Sequence, residues 1–148
     1  MSEVNVKIKR ISELAKLPAY ATDGAAGMDL YAANETPVTL KPLERKLIPL
    51  GFTMELPSGF EAQIRPRSGM AIKHGITLSN CVGTVDEDYR GEVGVGIINL
   101  SDEEYTISAG DRIAQMVIAP VVRANIIEAD DLAETKRGQG GFGSTGYK

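Results

Sequence analysis

The sequence predicts an all-β domain of the barrel, sandwich or jelly-roll kind. Three observations carry that expectation. Short runs of β-branched and apolar residues recur along the chain, Pro and Gly turn signals part them at close intervals, and helical periodicity is scarce. The 148 residues suit one domain, with no internal repeat and no linker to a second. A chain of this length can bury roughly 68–70% of its unfolded surface.

Val4, Val6 and Ile8 alternate with Asn5, Lys7 and Lys9, the period-2 pattern of a half-buried strand. Ser12-Glu-Leu-Ala-Lys16 suits a helical turn, and Pro18 with the small residues after it suits a loop. Ala25-Ala-Gly27-Met-Asp29-Leu-Tyr31-Ala-Ala is an apolar, strand-like run that carries one carboxylate. Further strands are expected over 36–40, 44–55, 59–65, 76–79, 93–99, 104–108 and 112–122. Pro37, Pro42, Pro57-Ser-Gly59 and Ser108-Ala-Gly110-Asp111 punctuate them. Helical turns are expected over Gly69–His74 and Asp130–Glu134. Met54, Met70 and Met116 read as core filler, and His74 as a surface or capping residue.

The formal net charge of −4 argues against a protein that coats nucleic acid or an anionic membrane. Any phosphate binding must therefore come from a few placed arginines and backbone N–H groups. Cys81 is the single cysteine and His74 the single histidine, so neither an internal disulfide nor a Cys/His zinc site is expected. The longest strongly apolar run, Ile113 to Val122, is too short to span a bilayer. The opening Met-Ser-Glu-Val-Asn-Val-Lys lacks the apolar core of a signal peptide. A soluble, cytoplasmic protein is the expectation.

The densest chemistry lies in Asn80-Cys-Val-Gly-Thr-Val-Asp86-Glu-Asp88-Tyr89-Arg90-Gly91-Glu-Val93. Gly83 and Gly91 permit close approaches, and Asp86, Glu87 and Asp88 lie between them. A hairpin of this composition can hold a flat ligand against its main chain while aiming a carboxylate at it. The same residues also suit a solvated acidic turn between two strands.

Arg65-Pro-Arg67-Ser68-Gly69-Met-Ala71 offers guanidinium forks, a hydroxyl and a glycine at the start of a short helix, a combination that favours phosphate. It equally suits an N-capped surface helix with two exposed arginines. The Gly-Lys-Ser/Thr ending of a P-loop is absent. Gly110-Asp-Arg112-Ile-Ala-Gln115-Met-Val-Ile118 reads chiefly as a core strand from which Arg112 or Gln115 reaches a site. Arg137-Gly-Gln-Gly-Gly-Phe142-Gly-Ser-Thr145-Gly-Tyr-Lys148 has little to pack and suits a flexible tail. Ordered by a ligand, its arginine and hydroxyls can wrap phosphates while Phe142 stacks on a base.

Taken in order, A-A-G-M-D-L-Y-A, R-S-G-M-A, G-T-V-D-E-D-Y-R-G-E-V, G-D-R-I-A-Q-M-V-I and R-G-Q-G-G-F-G-S-T-G closely resemble the five motifs of the trimeric deoxyuridine triphosphate nucleotidohydrolases (dUTPases). They run from Ala25 to Gly146. Met70 stands where leucine is common, a volume-conserving change. The resemblance implies a jelly-roll-like β-barrel over residues 1–136 and a Gly-rich arm over 137–148 that closes the active site. It also implies a homotrimer with sites at the subunit interfaces, and hydrolysis of dUTP to dUMP and pyrophosphate with Mg2+.

By that resemblance Asp86 is the general base that activates the water attacking the α-phosphorus. Asp29 supports the magnesium site, mainly through water. Asn80 and the main chain of Gly83, Thr84 and Val85, with Gly94, form the uracil pocket, where mismatched hydrogen bonds reject cytosine. Tyr89 packs under the deoxyribose. Arg67, Ser68 and Gly69, with help from Gln115, hold phosphates, and Arg137, Phe142, Gly143, Ser144 and Thr145 belong to the closing arm. The competing expectations are a zinc-free dCTP deaminase of the same fold and a non-catalytic nucleotide-binding regulator. Zinc-dependent deamination is excluded by the single cysteine and the absence of H-x-E.

Overall fold

The structure is a computed structural model and describes residues 3–141. Its strands are β1 (Lys7–Arg10), β2 (Ala19–Tyr20), β3 (Met28–Tyr31), β4 (Val38–Leu40), β5 (Arg45–Pro49), β6 (Phe52–Glu55) and β7 (Phe60–Arg65). After the helix α1 (Ser68–His74) come β8 (Ile76–Leu78), β9 (Gly83–Val85), β10 (Gly94–Asn99), β11 (Tyr105–Ile107) and β12 (Arg112–Pro120). The largest sheet has the order β2-β3-β12-β7-β9, and the others are β5-β10-β8, β1-β6 and β4-β11. Every pairing among the described residues is antiparallel. The architecture is all-β and jelly-roll-like.

Period-2 patterning places the core. Along β10, Val95, Ile97 and Asn99 are buried, while Gly94, Gly96 and Ile98 face outward and are half-buried. Leu30 of β3, Leu40 of β4, Ile48 of β5, Phe52 of β6, Ile76 of β8, Ile107 of β11 and Met116 of β12 join Val95 and Ile97 in one cluster. All four sheets therefore close on a single interior. Met54, Met70 and Met116 are buried in it, as their reading as core filler requires.

Asn99 is a polar group at full burial, and both ends of its amide are used. Its Nδ2 donates to the carbonyls of Leu40 at 3.0 Å and Glu103 at 2.7 Å. Its Oδ1 accepts from the Ser101 N–H at 2.9 Å and the Ser101 hydroxyl at 2.8 Å. A buried amide satisfied in this way ties β10 to β4 without the cost of an orphaned group.

The structure corrects several sequence expectations. The expected strand over 44–55 is broken into β5 and β6 at Leu50-Gly51. Gly51 takes φ +71, and a Cβ there would lie 2.9 Å from Ser12 Cβ and 3.0 Å from Ala15 Cβ. Residues 130–134 are not helical but irregular and exposed, because no neighbouring face buries Leu132. Residues 12–16 form a bend and turn closed by the Ala15 N–H on the Ser12 carbonyl at 3.2 Å. The first strand lies at 7–10, later than its alternation suggests, and the short β2 carried no sequence signal. The other expected strands stand within about two residues of their places.

The expected hairpin over 80–93 is also different. The Ser79 N–H continues the β8–β10 ladder onto the Gly96 carbonyl at 2.8 Å. Within the loop thus closed, β9 leaves and pairs with β7, Ile64 opposite Gly83 and Ala62 opposite Val85. The acidic residues therefore lie on a corner between two sheets rather than on the tip of a two-stranded ribbon.

Candidate active site

β12 lies between β3 and β7, with Gln115 opposite both Asp29 and Arg65. A register shift between Arg112 and Ala114 re-aims the start of the strand. Three distant pieces of sequence meet as a result. Asp29 Oδ2 accepts from Arg112 Nη1 at 3.1 Å, and its Oδ1 lies 3.5 Å from Arg67 Nε. The Asp29 side chain is only 14% exposed while that of Arg112 is half exposed, so solvent screens the pair from the arginine side. Arg67 Nη1 donates to the Arg112 carbonyl at 2.9 Å, which leaves part of each guanidinium fork available. Gln115 Nε2 donates to the Pro66 carbonyl at 3.0 Å, so Gln115 holds the backbone that leads into Arg67.

Beside this cluster opens a cavity of about 390 Å³, lined by Arg67, Gly69, Lys73, Tyr105, Asp111 and Arg112 among others. Ser68 and Gly69 begin α1, which has no side-chain cap at Arg67 and ends at Gly75 in the left-handed conformation. Ser68 and Gly69 are exposed. Their backbone N–H groups precede the first helical hydrogen bond and are free for a ligand. Burial, with the Asp111 carboxylate adding to it and Arg67 opposing, raises the Tyr105 phenol above its ordinary value. It therefore stays neutral near pH 7.

The acidic corner sorts its carboxylates by their partners. Glu87 accepts from the Gly59 N–H and from the Ser58 hydroxyl, the latter at 3.3 Å, latching the corner onto the β6–β7 turn. Glu92 Oε1 accepts from the Gly51 N–H at 3.1 Å. Arg90 Nη1 donates to the carbonyls of Glu87 at 2.7 Å and Tyr89 at 3.1 Å. No partner holds the Asp86 or Asp88 carboxylate among the described residues, and both are exposed. Asp86 directly follows β9, whose Val85 is buried, so a rigid strand sets its position.

A second cavity, of about 300 Å³, is lined by Leu47, Pro49, Tyr89, Glu92 and Gly94. A Cβ on Gly94 would fall 2.9 Å from Leu47 Cδ1, so the bare glycine keeps that wall open. Gly83 is buried, with Asn80 Nδ2 and Ile64 Cβ 3.3 and 3.2 Å from where its Cβ would stand, and Thr84 is exposed beside it. Arg137 is exposed and its Nε donates to the Gly140 carbonyl at 2.7 Å, closing a turn within its own segment. Phe142, Gly143, Ser144 and Thr145 lie outside the described residues.

A family model described as dUTPase matches residues 13–146. The chain belongs to the dUTPase family.

It is 56% identical over 143 residues to the deoxyuridine 5'-triphosphate nucleotidohydrolase of Finegoldia magna, which covers 96% of this chain and 100% of the relative. It is also 56% identical over 147 residues to the enzyme of that name from Rickettsia felis, with 99% of each chain covered. Among solved structures, the Staphylococcus bacteriophage 80alpha dUTPase with dUPNHPP superposes with a TM-score of 0.88 at 26% identity, covering 96% of this chain and 98% of the phage protein. The first four of the motifs thus fall on two surface regions of this chain, a cationic one around Asp29 and an acidic one around Asp86.

Sequence reasoning missed Lys73 and Tyr105 at the cationic cavity, and Leu47, Pro49 and Glu92 at the other. Arg67 stands in extended backbone just before α1 and Lys73 in its last turn, so no helical spacing links the two, and only the placed helix shows that they share a cavity. Leu47 is 74% exposed in the middle of a strand, an oddity visible only after its neighbours were placed.

No group of three or more His, Cys, Asp or Glu suited to a metal occurs among the described residues. The carboxylate expected to support magnesium, Asp29, is already engaged by two arginines. This donor set fits a hydrated ion carried on phosphate oxygens better than one held by the chain itself. Among the described residues no helix is long and apolar enough to cross a membrane.

Proposed function

We propose that the protein hydrolyses dUTP to dUMP and pyrophosphate, as a dUTP diphosphatase that limits uracil entry into DNA and supplies dUMP. The observation that carries this reading is the sorting of carboxylates in the acidic corner. Glu87 and Glu92 are bound to backbone donors, whereas Asp86 stands exposed at the end of β9 in a chain of the dUTPase family. A carboxylate so placed can accept a hydrogen bond and then a proton from a water molecule attacking the α-phosphorus.

The nucleoside is read by the cavity that Tyr89 and Gly94 line, with Asn80 and the main chain of Gly83, Thr84 and Val85 facing uracil. Arg67, Ser68 and Gly69 hold the triphosphate, Arg112 adds to their charge, and Gln115 keeps the loop in register. Preorganised donors of this kind stabilise charge that develops on the phosphate oxygens without reorganising at the moment of reaction. A magnesium ion, where bound, would supply charge withdrawal from the phosphate oxygens, and Asp29 would support it through water rather than by direct ligation. Because Asp29 orients Arg67 and Arg112, its first role is to hold the phosphate-binding guanidinium groups in place.

The two cavities share no lining residue. That supports a homotrimer in which the cationic half of one copy completes the nucleoside half of another. Val122 at 94% and Leu132 at 89% exposure supply apolar surface that a second copy can cover. Residues 1–136 act as the β domain and 137–148 as the closing arm, in which Arg137, Phe142, Gly143, Ser144 and Thr145 meet the nucleotide. Work in the cytoplasm agrees with a free, exposed Cys81.

The test is pyrophosphate release from dUTP, with dCTP, dTTP and UTP as controls, in magnesium and in chelator. Release confined to dUTP and lost with the chelator supports the reading. Ammonia from dCTP, or binding of dUTP without turnover, overturns it.

A further inference from the structure

The Tyr89 ring is folded back over its own loop. Its hydroxyl donates to the Glu92 carbonyl at 3.0 Å, so the side chain spans three residues and is fixed at its far end. Glu92 is itself anchored, through Oε1, to the Gly51 N–H. Gly91 lies beneath the ring. A Cβ there would stand 2.6 Å from Tyr89 Cζ and 3.0 Å from Cε2, with Oη closer still. Real Cβ atoms do not make such contacts.

Gly91 has no positive φ, so its backbone is one that alanine adopts without strain. The missing side chain serves space, not conformation. The atoms that a side chain would strike belong to the far end of Tyr89, which is 45% exposed and can swing outward. An alanine at 91 is therefore compatible with the fold and incompatible with the position of the ring.

We propose that Gly91 is a positioning residue for sugar discrimination: its bare backbone seats the Tyr89 ring at the wall of the nucleoside cavity, and any side chain at 91 lifts the ring and relaxes the exclusion of ribonucleotides. This rests on the reading of the cavity as a dUTP site. The cavity's lining contains Tyr89 but not Gly91, so Gly91 acts through the ring rather than by touching substrate. The hydrogen bond to Glu92 and the contact with Gly91 hold the ring from two sides, and loss of either frees it. Exclusion by a fixed wall depends on sub-ångström placement, because a 2′-hydroxyl adds one atom to a sugar of otherwise equal shape.

The experiment compares kcat/KM for dUTP and UTP in the full-length protein and in Gly91→Ala, Tyr89→Ala and the double variant. The expected result for Gly91→Ala is a UTP-to-dUTP ratio raised roughly tenfold or more, with Tyr89→Ala raising it similarly. In the Tyr89→Ala background Gly91→Ala should then change the ratio no further, because the ring through which it acts is gone. A 13C-labelled tyrosine spectrum, with Tyr89 assigned by its loss in Tyr89→Phe, should show the Tyr89 ring signal displaced in Gly91→Ala and the other tyrosines in place. An unchanged ratio in Gly91→Ala, or an equal further change in the double variant, overturns the proposal. So does a ring signal that stays where it was. A wild-type protein that fails to turn over dUTP would instead sink the dUTP reading, so the two failures are separable.

Discussion

Asp29 and Arg112 meet diagonally across the β3–β12 pair, carboxylate to guanidinium at 3.1 Å, and Arg67 reaches the same carboxylate from just beyond β7. One acidic side chain thus sets the direction of two cations from separate segments. Asp29→Asn keeps the shape and removes the charge. The variant should lose about 1–2 kcal/mol of stability, the smaller end of a partly buried pair because Arg112 is half exposed. Its dUTP turnover should fall by roughly 10²-fold through misplaced guanidinium groups. Denaturant midpoints and pyrophosphate release measure the two effects separately.

Asp86→Asn should leave the fold and nucleotide binding intact while lowering kcat by about 10²–10⁴-fold, the range for loss of a positioned general base. Calorimetric titration with a non-hydrolysable dUTP analogue checks the binding arm. Glu87→Gln makes the contrasting case. Its carboxylate holds the Gly59 N–H, so its loss should appear as a less stable corner with a smaller fall in kcat.

A chain ending at residue 136 should keep the stability of the β domain and lose turnover by roughly 10²–10³-fold. Thermal unfolding and single-turnover hydrolysis, measured on the same preparation, test this. Full activity in the shortened chain would remove Arg137 and the segment after it from the reaction.

Gly51→Ala should be among the most damaging small substitutions. It imposes a strained φ and drives a methyl group into Ser12, Ala15 and Ala33. A loss of about 2–4 kcal/mol is expected from strain and overpacking together. Urea unfolding measures it, and an unchanged midpoint would mean that the N-terminal turn simply moves aside.

Acid should loosen β1. The hydrogen bond from Lys7, and then its charge, hold Glu55 below its ordinary value of 4.5. A carboxylate lowered on folding contributes stability above the unfolded value and loses it as pH falls through the folded one. The protection of the Lys7–Arg10 amides, measured against their intrinsic exchange rates, should therefore fall as pH drops below about 4.5, and Lys7→Met should remove that pH dependence. The pair is exposed, so global unfolding should hardly register it.

Much of this fold is legible in the sequence where the signal is local. β10 announces itself by alternation, β12 by a long apolar run, and α1 by the turn residues on either side. What escaped was long-range. Nothing near Gly51 says that Ser12 will occupy the space beside it, and nothing near Gly83 says that β7 will draw β9 out of a hairpin. The site divides in the same way. Its residue types are readable as acids, guanidinium groups and glycines. Their division of labour is not, since Glu87 differs from Asp86 chiefly in facing the Gly59 backbone 28 residues away in sequence.

The corner that carries Asp86 is moored before that residue to β10 through Ser79 and to β7 through β9, and after it by the Val93 N–H on the Phe52 carbonyl, with Glu87 and Glu92 adding ties to the β6–β7 turn and to Gly51. It has no hinge of its own on which to melt early. Heating should consequently destroy the placement of Asp86 and the globule in one event, so that residual activity after a brief heat pulse tracks the folded fraction across the whole transition.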